Sequence, residues 1–387
     1  MSQLEDSQAG TAEYDISPLL QPLSIRGLQL RNRFVMPGMQ RYWCADGAPD
    51  LRLREYYRRR VRGGASLVIS ESCAVDHPSA TKNPTFARIS PDTREAWRAC
   101  VEGVHEAGGA MFLQLWHQGA VNYGGDAESN PDFVALSPSG ISHPGESFGR
   151  AATEAELDSI KAAFVQGALD AEEIGADGVE LHSAHGFLLD QFLWPGTNLR
   201  TDRYGGPSIA DRATFVAEVA EAVRAATGPD FVMSVRISQW KESDYDAKIV
   251  EKPGELGQLI TRLRAAGADI FHVSARRFWT PEWDGSDRGL AGWAKSFTDA
   301  AVIAVGSVGL DVDVMASLNG EEGEPTGGSR INDLVRRFRR GDFDLVSVGR
   351  SQIGDPEWIT KMTDHRPSDI RAFRAGDPWL SHDVVNT

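Results

Sequence analysis

Short apolar runs alternate with segments of helical period along most of the chain. The runs are 34–37, 66–70, 110–115, 178–182, 231–237, 269–274, 301–306 and 344–349. Each is rich in β-branched residues and apolar on both faces. A strand with one solvated face would alternate polar and apolar positions; an unbroken run marks a strand buried on both sides, as in a parallel sheet.

Helix-length segments separate the runs. Residues 53–61 and 93–109 follow the first two. Residues 153–176 open on Thr153 and Glu156, the spacing of a reciprocal N-terminal cap, and close at Gly175. Segments 208–228, 253–268, 331–342 and 356–362 continue the pattern, and 289–299 is the least periodic of the set. Eight strands, each followed by a helix, predict an α/β fold: a single (β/α)8 TIM barrel with long loops at the C-terminal strand ends. The rival arrangement is an open doubly wound sheet. The long connections are 116–152, 183–207 and 275–288, and all leave the strand ends where barrel enzymes place their sites. Residues 1–15 read as a mobile acidic tail, 16–387 as the barrel domain, and 320–329 as a flexible surface insertion.

Composition narrows the function. The chain has 387 residues, with 40 Lys or Arg against 55 Asp or Glu, a net charge of −15. That balance opposes nucleic-acid binding and, more weakly, an anionic membrane surface. No apolar run approaches the roughly 18 residues of a membrane span. The N-terminus lacks the basic and apolar regions of a signal peptide. Cys44, Cys73 and Cys100 are odd in number and widely spaced, so no disulfide framework or CxxC metal site is expected, and a reducing cytoplasm fits. A small-molecule enzyme, compatible with a homo-oligomer, is the class that remains.

The predicted strand ends carry the candidate chemistry. Gln114, Trp116 and His117 end the third strand, His182 and His185 the fourth, and Arg236 the fifth. Trp43, Trp116, Trp194, Trp240, Trp279 and Trp283 follow strand ends, and a rim of aromatic and neutral polar groups suits a flat conjugated ligand. Gly306-Ser307 and Gly349-Arg350 end the last two strands, where barrels commonly hold a phosphate with backbone N–H groups; arginine adds a charged fork of donors. A metal reading competes: His182 and His185 with Glu180, His117 or His272. A Schiff-base aldolase needs a lysine on a barrel strand, and none of the lysines falls inside a predicted run. No P-loop or complete GxGxxG is present.

Residues 181–206, LHSAHGFLLDQFLWPGTNLRTDRYGG, resemble the HxAHGYLxxQFLxPxxNxRxDxYGG segment of the old yellow enzymes, FMN-dependent (β/α)8 ene-reductases. Segments 30–41, 55–72, 113–120, 235–238 and 344–358 match further landmarks in the same order, so the resemblance spans about 17–365. It implies FMN as cofactor and NADH or NADPH as reductant, with hydride passing to an activated C=C, a nitro group or a quinone. Gln114 and Arg236 would then hold the flavin pyrimidine edge, and Gly306, Ser307, Gly349 and Arg350 the phosphate. Pro37, Gly38, Met39, Gln40 and Ser72 would line the N5 and O4 side. His182 and His185 would bind the oxygen of an electrophilic small-molecule substrate. Two positions depart from the pattern. Gln40 stands where the family usually has a hydroxyl or thiol. Phe187 stands where it has the proton-donating tyrosine, which leaves the acid to Tyr42, Tyr123, Tyr204 or water. Some relatives are amine dehydrogenases or demethylases, and a non-redox phosphate-binding lyase or isomerase is the reading outside redox chemistry. The large iron–sulfur members carry cysteines after the barrel; this sequence has none beyond Cys100, so that form is not expected.

Overall fold

A computed structural model describes residues 14–123, 133–311 and 328–374. Eight parallel strands close into one barrel: β1 (Phe34–Met36), β2 (Leu67–Ala74), β3 (Ala110–Trp116), β4 (Gly178–His185), β5 (Val232–Lys241), β6 (Ile270–Ser274), β7 (Ala301–Val305) and β8 (Leu345–Ser347). They pair in chain order, and β8 pairs back onto β1. The open-sheet alternative is thereby set aside.

The outer helices follow the apolar periods. They are α1 (Leu51–Arg62), α2 (Arg94–Glu106), α3 (Glu154–Glu173), α4 (Thr214–Ala226), α5 (Pro253–Ala265), α6 (Leu290–Lys295), α7 (Gly328–Arg340) and α8 (Trp358–Thr363). Thr153 and Glu156 form the reciprocal cap of α3, and Gly175 follows its end at φ +86°. The segment at 208–228 divides at Ala213 into a short turn of helix, Ile209–Arg212, and α4. The weakly periodic 289–299 forms only the six-residue α6. The expected tail at 1–15 lies outside the described residues except for Tyr14 and Asp15. The expected insertion at 320–329 lies outside them except for the start of α7.

Register explains the barrel interior. Partnered residues on parallel neighbours share a face. Gln114, Glu180 and Ser234 therefore form one layer across β3, β4 and β5, and His182, Arg236 and His272 form the next layer toward the C-terminal end across β4, β5 and β6. Beneath them the interior is apolar, with Phe112, Val232, Ile270, Ile303 and Leu345 among its members. A hairpin of Leu23–Ile25 and Leu28–Leu30, absent from the sequence pattern, closes this end through Ile25 and Leu30. Apolar residues thus fill one end, and polar ones are held at the other, where the long loops stand. Among the described residues no helix is long and apolar enough to cross a membrane.

Candidate active site

A cavity of about 350 Å³ opens at the C-terminal end of the barrel. Fifteen of the residues singled out in the sequence line it: Pro37, Gly38, Met39, Gln40, Tyr42, Ser72, Gln114, His182, His185, Phe187, Arg236, Gly306, Ser307, Gly349 and Arg350. Trp240, Glu242, Arg276 and Ser347 line it as well.

The floor is a fixed hydrogen-bond network. Fully buried Glu180 accepts from Gln114 Nε2 (2.8 Å), Ser234 Oγ (3.0 Å) and His272 Nδ1 (2.8 Å). Ser72 Oγ donates to Gln114 Oε1 at 3.0 Å, so the Gln114 amide has one orientation. Burial alone would raise the Glu180 carboxyl; His272, Arg236 and the Gln114 amide together hold it at about 2. Its charge is therefore kept beneath the cavity, facing Arg236.

The fourth strand aims its histidines through irregular backbone. The β4–β5 register shifts between Ser183 and His185, and His185 adopts φ +67°. A bulge of this kind redirects a side chain, and an uncommon backbone angle needs support from its surroundings. Here Ser238 Oγ accepts from the His185 N–H (2.9 Å), and His185 Nε2 meets Ser274 Oγ at 2.8 Å. Tyr42 and Ser307, also on the cavity wall, are two more of the six non-glycine residues at positive φ among the described residues. The backbone departs from its preferred wells where the cavity needs shape. Burial, then Arg236, keeps both imidazoles well below the ordinary histidine range, so they are neutral at pH 7.

The loop after β1 is pinned from behind. Glu71 accepts from the Arg41 main-chain N–H and, at 3.2 Å, from Cys44 Sγ. The Arg41 guanidinium sits 4.9 Å from the ring centres of both Trp43 and Tyr56. Gly38 has no room for a side chain, since a Cβ there would stand 2.4 Å from the Ser70 carbonyl oxygen. At the last two strands, a Cβ on Gly306 would lie 2.6 Å from the Ala275 oxygen, and Arg350 Nη2 donates to Ser307 Oγ at 3.0 Å.

The donor set fits a flat, hydrogen-bonding, phosphorylated cofactor. Gln40 Nε2, His182 Nδ1, Arg236 Nε and Ser347 Oγ are buried at the cavity wall with no partner among the described residues. Buried polar atoms are rarely left so, and four around one cavity mark ligand positions.

Several expectations are corrected. His117 does not reach the cavity; it bonds Ser79 Oγ (2.9 Å) and accepts from the Gly119 N–H. Of the six rim tryptophans only Trp240 lines the cavity, its ring 4.4 Å from that of His185. Trp116 is fully buried behind Phe187, and Trp43 and Trp194 stand beside Arg41 and Lys241. Tyr204 is buried elsewhere, its hydroxyl on Glu218, which leaves Tyr42 and Tyr123 as the tyrosines on the cavity. Lys241, expected outside the strands, ends β5, where its ammonium is bound to Asp190 at 2.7 Å. Among the described residues no group of three or more His, Cys, Asp or Glu is arranged to hold a metal ion, and Glu180 and His272 are bonded to each other. Glu242, Arg276 and Ser347 went unread; Ser347 ends β8, and Glu242 and Arg276 follow the ends of β5 and β6, the one signal that could have marked them.

Comparison with known proteins agrees with this geometry. The model of the NADH:flavin oxidoreductase / NADH oxidase family matches residues 18–324. An NADH oxidase of Thermoanaerobacter brockii is 33% identical over 350 residues, 90% of this chain and 51% of that protein, so the chain spans about half of that relative. A 12-oxophytodienoate reductase 7 of Oryza sativa subsp. japonica is 31% identical over 362 residues, covering 89% of this chain and 88% of that one. Among solved structures, a morphinone reductase mutant in complex with tetrahydroNAD superposes with a TM-score of 0.71 at 26% identity, over 93% of each chain.

Proposed function

The chain belongs to the NADH:flavin oxidoreductase / NADH oxidase family, the old yellow enzymes, and from that premise we propose the role of each cavity residue. It is an FMN-dependent oxidoreductase of the ene-reductase type. FMN, reduced by NADH or NADPH, supplies the hydride that an activated C=C, a nitro group or a quinone takes up. The family sets aside the non-redox lyase and isomerase readings.

The observation that carries the residue roles is the ring of unpartnered buried donors above the Gln114–Glu180–His272 floor. Gln114 and Arg236 hold the pyrimidine edge, with Arg236 placed to balance negative charge at that edge of the reduced ring. Pro37, Gly38, Met39, Gln40 and Ser72 bound the N5 and O4 side. Gly306, Ser307, Gly349 and Arg350 bind the phosphate. His182 and His185 face the substrate, donating N–H groups to its oxygen as charge develops there. The three cysteines are free buried thiols, which supports a reducing compartment and the cytoplasm as the place of action.

The test is absorbance of the purified protein, then anaerobic reduction by each nicotinamide and reoxidation by enones, nitro compounds and quinones. A colourless protein, or one no nicotinamide reduces, would end this reading. Arg350→Ala removes a charge-assisted phosphate contact, worth roughly 1.5–3 kcal/mol. FMN affinity should fall about ten- to hundredfold, read by flavin fluorescence during dialysis. Full retention would remove Arg350 from the phosphate site.

A further inference from the structure

Saturating a polarised C=C takes a hydride at one carbon and a proton at its neighbour. Phe187 carries no proton to give. Its ring packs edge-on at 4.9 Å from that of His182 and 5.3 Å from that of Trp116, so it occupies the donor's place with hydrocarbon.

Five other cavity residues carry a side-chain group with an acidic or transferable proton: His182, His185, Tyr42, Tyr123 and Glu242. The two neutral imidazoles have the substrate oxygen to hold. Burial, followed by Glu242, raises the phenols of both Tyr42 and Tyr123, making each a weaker acid than free tyrosine. The carboxyl group remains.

Glu242 directly follows β5, and its main-chain N–H donates to the His185 carbonyl at 3.2 Å. It is therefore tied to the segment that carries the histidines and Phe187. Its side chain faces the cavity and makes no hydrogen bond or ion pair with another described residue. The groups around it come from each neighbouring element: Arg236 on its own strand, Tyr42 after β1, Tyr123 after β3, and neutral His185 on β4. Lys241, the preceding residue, is committed to Asp190.

We propose that Glu242 is the proton donor for alkene reduction, acting in place of the hydroxyl that is missing at position 187. The inference rests on the ene-reductase reading above. As hydride reaches the β-carbon, the π electrons of the C=C shift onto the carbonyl oxygen held by His182 and His185. The Glu242 O–H bond then breaks as the new C–H bond forms at the α-carbon. The substrate gains two electrons, NAD(P)H loses them, and the carboxylate recovers its proton from water at the cavity mouth, where the residue is exposed. The wall around the carboxyl raises it towards neutrality, with Arg236 opposing that rise, while the residue's exposure at the mouth limits the loss of solvation.

The experiment uses the FMN-loaded enzyme with Glu242→Gln, Glu242→Asp and the double change Glu242→Gln with Phe187→Tyr. A simple cyclic enone and a quinone, which needs no proton at carbon, are assayed in parallel. The enone-to-quinone turnover ratio should fall about a hundredfold in Glu242→Gln, within the span of roughly 10²–10⁴ for a positioned acid. It should recover at least about tenfold when Phe187→Tyr is added, the gain expected of a restored positioned acid. Wild-type enone turnover should decline as pH rises through about 7; Glu242→Gln should lack that limb, and Glu242→Asp should keep a displaced one. Para-chlorophenol binding, followed by its long-wavelength absorbance, should weaken above the same pH in the wild type only, because the ionised carboxylate repels a phenolate.

An unchanged ratio and pH limb in Glu242→Gln would overturn the proposal. So would collapse of the ratio in Tyr42→Phe or Tyr123→Phe instead, or a Glu242→Gln effect confined to the KM of cationic substrates. A protein that binds no FMN, or that no acceptor reoxidises, would fail at the underlying function and not at Glu242 alone. Quinone turnover separates the two.

Discussion

Asp190→Ala is expected to destabilise the fold by about 3–5 kcal/mol, the cost of leaving a buried charge without its partner. Asp190 and Lys241 are both fully buried and meet at 2.7 Å. The same carboxylate accepts from the Gly186 N–H at 2.7 Å, one residue from His185. Removing it strands an ammonium and a main-chain donor together. Burial pushes Asp190 up to about 6, against the pull of Lys241, and pushes Lys241 down. Both shifts favour the neutral forms, so desolvation outweighs what the pair gives back. The double change Asp190→Leu with Lys241→Met should therefore recover most of the loss, because apolar replacement of both partners is often neutral or better. Urea unfolding of the three proteins checks it. A single variant within about 1 kcal/mol of wild type, the range of an exposed ion pair, would mean that water reaches this pair.

The pair also shows where sequence reading stops. Strand β5 is legible as an apolar run only to Ile237. It continues through Ser238, Gln239, Trp240 and Lys241, held by pairing with β4 beyond the bulge. No periodicity announces that extension, because its cause is a partner strand and a carboxylate 51 residues away in sequence. Lys241 therefore read as a loop residue, and Glu242 beside it was not read at all. The eight strands were legible for the opposite reason: burial on both faces is a local demand and writes itself into consecutive residues. The cavity residues were legible because they end those strands, and the 181–206 block added the family. Tryptophan orientation was not legible. Trp116 ends β3 as Gln114 lies within it, yet it turns to the core behind Phe187. The hairpin at Leu23–Ile25 and Leu28–Leu30 is too short to show a period, and only the barrel it plugs explains it.

His182→Ala and His185→Ala should each lower kcat/KM with an enone by about 10²–10³, the usual loss when one preorganised donor to a developing oxyanion is removed. The environment defines the kind of help they give. Burial and the nearby Arg236 hold both imidazoles well below their ordinary range. A histidine that stays neutral in the working pH range donates an N–H and brings no charge of its own. Ser274 Oγ meets His185 Nε2 at 2.8 Å and fixes that ring, while His182 Nδ1 lies buried with no partner among the described residues. Two results follow. His182→Asn, which restores an N–H of similar reach, should recover most of the activity lost in His182→Ala. The wild-type profile should show no limb from imidazole protonation between about pH 6 and 8, since a depressed pKa moves that titration to lower pH. The limb near 7 should belong to the carboxyl of Glu242 alone and should survive in His182→Asn. If asparagine is as damaging as alanine, or if the purified holoenzyme carries stoichiometric zinc, the histidines are doing something other than donating to a substrate oxygen.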